Sequence, residues 1–254
     1  MEKDREMIFS EFSATEKRCI KYYLIAEAIL FLLIQWAETT QPYTVTGKVM
    51  YAAIVLNAVT ICYFYSRYRG DVRVPLAIMI TLIADYYLTY QNRSFEVGVS
   101  WFILVQLIYA WRTRTDVGSI LFRLFCSLVY CALLSYLGMD RLQASLCALS
   151  MGILTGNVVY SWKNVNAKSG YMYLMDPDHL LALGLTLFAG CDLSIGLRNV
   201  LEGAGGLTPF RILYYVMYYL TWICYLPSQV FLVLSYLESH KKARRGSDPT
   251  LDDK

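Results

Sequence analysis

The stretch LLALGLTLFAGCDLSIGLRNV, residues 180–200, decides the fold. A helix that crosses a bilayer needs roughly 17–25 mostly apolar residues, and this run meets that length with one aspartate and one arginine inside it. The rest of the chain behaves alike. It has 254 residues, of which 57% are hydrophobic and 17% charged, with a mean hydropathy of +0.40. Soluble domains carry about 25% charged residues, so the composition predicts a polytopic membrane protein. Seven further runs support that reading, over 20–36, 49–65, 74–90, 97–111, 117–137, 142–162 and 210–237. The links are short, so the expected fold is all-α: a transmembrane bundle of eight spans over 20–238. A short segment, 1–19, precedes it, and a basic, flexible tail, 239–254, follows. The runs are too long and too evenly apolar for barrel strands.

Lys and Arg set the expected orientation. Lys3, Arg5, Lys17 and Arg18 precede the first run; Arg67, Arg69 and Arg73, then Arg112 and Arg114, then Lys163 and Lys168, occupy alternate links. Lys241, Lys242, Arg244 and Arg245 follow the last run. The other links hold fewer, so both termini are expected in the cytoplasm. No cleavable signal is expected at the start. Ser13 and Glu16 in SATE form a capping-box pattern that would open the first helix, and Ile8, Phe9 and Phe12 suit an interfacial segment before it. A net charge of +3 argues against nucleic acid as a partner. Seven cysteines in or beside apolar runs, with no CxxC, read as buried thiols.

Aspartate is the exception to this pattern. Asp85, in LIADYYLTY, and Asp192, in LFAGCDLSIGL, lie inside spans, where a carboxylate costs about 2.5–3.5 kcal/mol on insertion scales. Both helices rise from the basic side. Counting from Arg73 and His179 at 1.5 Å per residue, each carboxyl sits roughly 18–20 Å up a core about 30 Å thick. Two carboxyls at one depth can share a pocket, in which repulsion and burial leave one neutral. Glu27 in the first span is a third candidate, balanced between a site and an interhelical bond. Asn57, Gln106, Asn157 and Gln229 suggest a wet interior. On the last span Tyr215, Tyr218, Tyr219 and Trp222 recur at helical spacing and suit a slot for an acyl-type chain, although ordinary packing explains any one ring. There is no nucleophile elbow, phosphate loop or zinc motif. Asp176, Asp178 and His179 in MDPDHL fit a helix cap better than a metal site.

These residues bring a family into view. LIADYYLTYQNRSFEVGVSWFILVQLIYAW, residues 82–111, resembles the third and fourth helices of the lysoplasmalogenase-like (YhhN-type) membrane proteins. Asp85 takes the place of their first aspartate, Gly98 of a glycine, and Leu107, Ile108 and Tyr109 close the motif. LFAGCDLSIGL is similar to the second motif, with Asp192 at its aspartate, and YYVMYYLTW to the Tyr-rich last helix. Lys48 matches a Lys-Pro pair. The chain departs from the pattern at Ala84, Val49, Cys191 and Gln106, the last standing where the family has histidine. The resemblance implies hydrolysis of the vinyl ether bond of lysoplasmalogens, with Asp85 and Asp192 as acid and base. Lys48 would meet the phosphate, and Gln106, Glu27, Tyr215, Tyr218 and Tyr219 would touch the substrate. That substrate is a lysophospholipid-type amphiphile drawn from membrane lipid, and water is the only co-reactant, so no cofactor is implied. Two rivals remain at this point. One is a proton-coupled transporter using the two aspartates; Pro75 and Pro227 do not correspond between halves and neither is near an aspartate in sequence. The other is a non-catalytic sensor or scaffold of the same family.

Overall fold

The computed structural model describes residues 12–40, 46–68, 70–91, 94–167, 176–203 and 211–247. Ile8, Phe9, Arg69, Arg93, Lys168 and the stretch beyond 247 lie outside the described residues. Among these residues eight α-helices follow in order: α1 Ala14–Thr40, α2 Thr46–Tyr68, α3 Arg73–Asp85, α4 Phe95–Thr113, α5 Val117–Tyr136, α6 Arg141–Ala167, α7 Pro177–Gly203 and α8 Arg211–Ser247. A π-helical turn, Tyr86–Gln91, continues α3. No strand occurs among the described residues. Six of the helices, α1, α2 and α5–α8, are long and apolar enough to cross a membrane by length and composition. α3 ends after 13 residues where the π turn begins, and α4 carries Glu96, Gln106 and Arg112.

Two boundaries differ from the sequence expectation. α1 starts before residue 20 because its cap forms there: the Ser13 N–H donates to Glu16 Oε2 (2.8 Å) and the Glu16 N–H to Ser13 Oγ (3.3 Å). This is the capping box read from SATE. α8 runs past 238 to Ser247, so residues placed in a flexible tail continue the helix. Lys and Arg tolerate a solvated helix as well as a coil.

Helix neighbours alternate in direction. Glu16 pairs with Arg67 (2.8 Å), Arg73 Nη1 donates to the Trp111 carbonyl (3.2 Å), and Asn164 donates to the Thr113 carbonyl (3.0 Å). These contacts gather at one end, called lower here. Gln143 Nε2 reaches Glu96 Oε1 (3.2 Å) at the other, upper end. In the α2–α3 link burial opposes ionisation of Asp71, but hydrogen bonds from the Arg73 side chain and N–H outweigh it and hold the carboxyl below its ordinary range.

α3, α4, α6, α7 and α8 form a closed ring, each touching the next, and α1 and α2 pack outside it against α8 and α3. α5 touches only α6. It docks by close approach: an added Cβ on Gly152 would sit 2.2 Å from Ser127 Oγ, and one on Gly156 2.3 Å from Arg123 Cγ. This is a small-xxx-small seam, the usual device for bringing helices together where water gives no drive. The other flank of α5, through Leu121, Phe125, Leu128 and Tyr136, is exposed, as a lipid-facing surface requires.

All seven cysteines are free. They are less uniformly buried than the apolar runs suggested. Only Cys191 and Cys224 are buried, and Cys62 is exposed on the outer flank of α2.

Candidate functional site

Asp85 is the last residue of α3, at the point where α-helical hydrogen bonding gives way to the π turn. π turns inside helices are rare and concentrate at functional positions. Gly47 and Gly98 let neighbouring helices close on this turn: a Cβ on Gly47 would lie 2.9 Å from the Thr89 carbonyl, and one on Gly98 2.3 Å from Leu88 Cγ. The Asp85 side chain is only 3% exposed, pointing into the five-helix ring. There the Tyr225 hydroxyl of α8 donates to its Oδ2. Pro227 follows two residues later inside α8, where its ring removes a backbone donor. Tyr225 and Asp85 stand 140 positions apart in the chain, and the packing of α8 against α3 brings them together.

Asp192 comes from α7, on the far side of the ring, and the two carboxyls lie within electrostatic reach of each other. Cys191 and Tyr225 feel both. Asp192 is partly exposed, and no hydrogen bond to its carboxyl occurs among the described residues. Cys147 of α6 lies within electrostatic reach of it. One turn below, Phe188 stacks obliquely against Phe102 of α4 (5.5 Å) and Tyr225 (5.9 Å). These rings close the lower side of the pair. Above Asp85, Tyr51 of α2 packs against Tyr86 (6.1 Å) and Tyr90 (5.3 Å) and is within electrostatic reach of Asp85.

The other expected site residues disperse. Gln106 is fully buried but belongs to a different polar cluster, toward the lower end of α4. Asn157 Nδ2 donates to its Oε1 (3.2 Å) and to its carbonyl (2.8 Å). The hub of that cluster is Arg123, which donates from Nε and Nη2 to Asn157 Oδ1 (3.2 and 3.0 Å), from Nη2 to Thr113 Oγ1 (3.0 Å), and from Nη1 to the Arg114 and Ser119 carbonyls (3.0 and 3.2 Å). Every guanidinium N–H group is used on a neutral acceptor, which makes Arg123 a clamp for α5. Its signal was present in sequence: an arginine inside an apolar run must be paired or lost to water.

Glu27 pairs with α2 instead of the aspartates. Asn57 Nδ2 donates to Glu27 Oε1 (2.9 Å) and the Tyr23 hydroxyl to Asn57 Oδ1 (2.6 Å), which is the interhelical bond weighed for it. Asn57→Ala leaves both partners unsatisfied. It is expected to destabilise the fold by about 1–3 kcal/mol, read as a lower unfolding temperature in detergent, with activity per folded molecule unchanged.

Lys48 is exposed at the upper end of α2. The tyrosine stripe of α8 does not form one lining. Tyr215 is 46% exposed, whereas Tyr218 is buried, stacked on Tyr214 (6.4 Å) and covered by the Arg198 guanidinium (5.5 Å). α8 packs on α7 along one flank only, so the stripe twists out of the contact. Arg198 has no ion-pair partner among the described residues, its Nε is buried without a hydrogen bond, and it reaches toward Cys191. In the sequence it is the one arginine of the 180–200 run. At the other end of α7 the Asp178 N–H donates to Asp176 Oδ1 (2.9 Å), the cap that the MDPDHL stretch suggested.

No protein-family model, curated protein or solved structure matches this chain.

Proposed function

We propose that the chain is an intramembrane hydrolase that cleaves the vinyl ether bond of lysoplasmalogen-type lipids. All eight helices are read as crossing the membrane, α3 with the help of its π turn, and the lower end as cytoplasmic; Arg67, Arg73, Arg112, Arg114 and Lys163 support that orientation. The observation that carries the proposal is that Asp85, bonded by the Tyr225 hydroxyl, and Asp192 lie within electrostatic reach of each other, with no ion pair to either among the described residues. Membrane proteins keep such carboxyls for a task.

The chemistry needs one proton donor and one carboxylate. A carboxylic acid protonates the vinyl carbon remote from oxygen, and the remaining carbon becomes an oxocarbenium ion stabilised by the second, negative group. Water adds to that carbon and gives up a proton, and the hemiacetal falls apart to a fatty aldehyde and a glycerophospho alcohol. The division of work is that of a glycosidase, and only water is consumed.

The amphiphile's phosphate requires a cation near the upper end, where Lys48 and Arg198 flank the ring. Arg198 stands closer to the carboxyls along α7, so Arg198→Gln is expected to raise KM about tenfold with little change in kcat, and Lys48→Gln to raise it less. Steady-state rates on 1-alkenyl lysophospholipids in mixed micelles check this ordering.

The direct test supplies purified protein with a 1-alkenyl lysophospholipid and follows aldehyde through a coupled dehydrogenase. Turnover supports the proposal; its absence in protein that is folded and monodisperse refutes it. The π turn that follows Asp85 favours a second reading, a proton-coupled transporter, since interrupted helices mark such sites. Uptake into liposomes driven by a proton gradient, without aldehyde release, would select it.

A further inference from the structure

The two carboxyls are not equivalent. Asp85 is closed in, and one of its oxygens is engaged by Tyr225. Asp192 is partly exposed and unengaged among the described residues. The surface beside it also differs. Asp192, Gly196 and Val200 recur every four residues and so follow one stripe of α7 upward. A Cβ placed on Gly196 would meet no atom within 4 Å, so the space one turn above Asp192 is open. Val200 then lines a cavity of about 330 Å³ together with Phe95, Gln143, Gly138 and Asp140 at the upper ends of α4–α7. α6 supplies the facing wall, with Cys147 opposite Asp192 and Gln143 one turn above it. One turn below Asp192, Phe188 is buried and packs against Phe102 of α4.

From this geometry, and resting on the hydrolase reading, we infer that substrate enters at the upper end between α6 and α7 and meets Asp192 alone, so that Asp192 is the catalytic acid and Asp85 a fixed negative charge behind it, oriented by Tyr225. The cycle balances with one carboxyl. Asp192 gives its proton to the vinyl carbon, forming a C–H bond and leaving a carboxylate beside the oxocarbenium ion. Water forms the new C–O bond and returns a proton to Asp192, which ends the cycle as it began. Hemiacetal collapse then breaks the C–O bond to the glycerol oxygen. Asp85 and Tyr225 exchange no proton with substrate, which makes Tyr225 a positioning residue.

Three measurements test this together. Dicyclohexylcarbodiimide, an apolar reagent for protonated carboxyls, is expected to label Asp192 and not Asp85 when adducts are mapped by mass spectrometry, with the Asp192 adduct absent from Asp192→Asn. Gly196→Phe fills the passage and is expected to lower kcat/KM at least about tenfold while the protein stays monodisperse, and Gly196→Ala to change it less than about threefold. Tyr225→Phe is expected to lower kcat about tenfold with KM little changed, and to have less than a twofold effect once Asp85 is already Asn, since its action passes through that residue. An adduct on Asp85 in place of Asp192, full activity in Gly196→Phe, or additive losses in the Tyr225–Asp85 cycle overturns the assignment. Labelling of Asp192 in a protein that releases no aldehyde leaves Asp192 as the reachable carboxyl and rejects the hydrolase reading instead.

Discussion

Asp85→Asn is expected to lower aldehyde release by about 10³-fold without unfolding the protein. The substitution keeps shape and leaves Tyr225 an acceptor, so the α3–α8 contact survives. What disappears is the negative charge that faces the developing oxocarbenium ion across the ring. In a site without bulk water such a charge is worth far more than in solution, and removal of one preorganised group of this kind costs about 10²–10³ in kcat. KM should move little, because Asp85 is closed off from the passage. Single-turnover rates, paired with a melting curve for each variant, check both halves. A variant that keeps wild-type kcat would remove Asp85 from the chemistry.

The second large effect is structural. Gly156→Leu is expected to prevent α5 from docking and to leave little folded protein. The Cβ alone would lie 2.3 Å from Arg123 Cγ, and the side chain of a leucine has nowhere to go. Displacing α5 pulls Arg123 away from Asn157 and Thr113, which leaves a cation and two polar side chains unpaired inside the bundle. Breaking a buried charged network costs about 3–5 kcal/mol, a large part of the stability of most domains. Fluorescence-detected size exclusion checks it: Gly156→Leu should aggregate or disappear, and Gly156→Ala should be impaired but recoverable. A well-behaved Gly156→Leu peak would mean that α5 is not clamped as described.

Much of this arrangement was legible in the chain. Apolar runs located the helices because length and lack of charge are sufficient signals in lipid. The Ser13–Glu16 and Asp176 caps were readable because capping is a local affair of three residues. Counting residues up two helices of fixed rise could give Asp85 and Asp192 one depth, but that they come within reach of each other is a matter of packing. Rotation about each helix axis was not legible. Helices apolar on every side give no face to orient them, so Gln106 was expected at the substrate although it turns toward Asn157, and for Glu27 a site and an interhelical bond could not be separated until it was seen to turn toward Asn57. Tyr225 is one of six tyrosines on α8, and nothing local distinguishes the one that meets Asp85 from the others. Arg123, Gly152 and Gly156 were passed over, although a cation inside an apolar run needs a buried partner and small residues four apart permit close approach.

The most direct test of two carboxyls working on a vinyl ether is the fate of isotopes. The reaction is run in D2O and, separately, in H2(18)O, with the aldehyde and alcohol analysed by mass spectrometry. Protonation at carbon followed by attack of water predicts one deuterium at carbon 2 of the aldehyde and the heavy oxygen in the aldehyde, with the glycerol oxygen unlabelled. Heavy oxygen in the alcohol, or aldehyde formed without deuterium at carbon 2, would contradict the account.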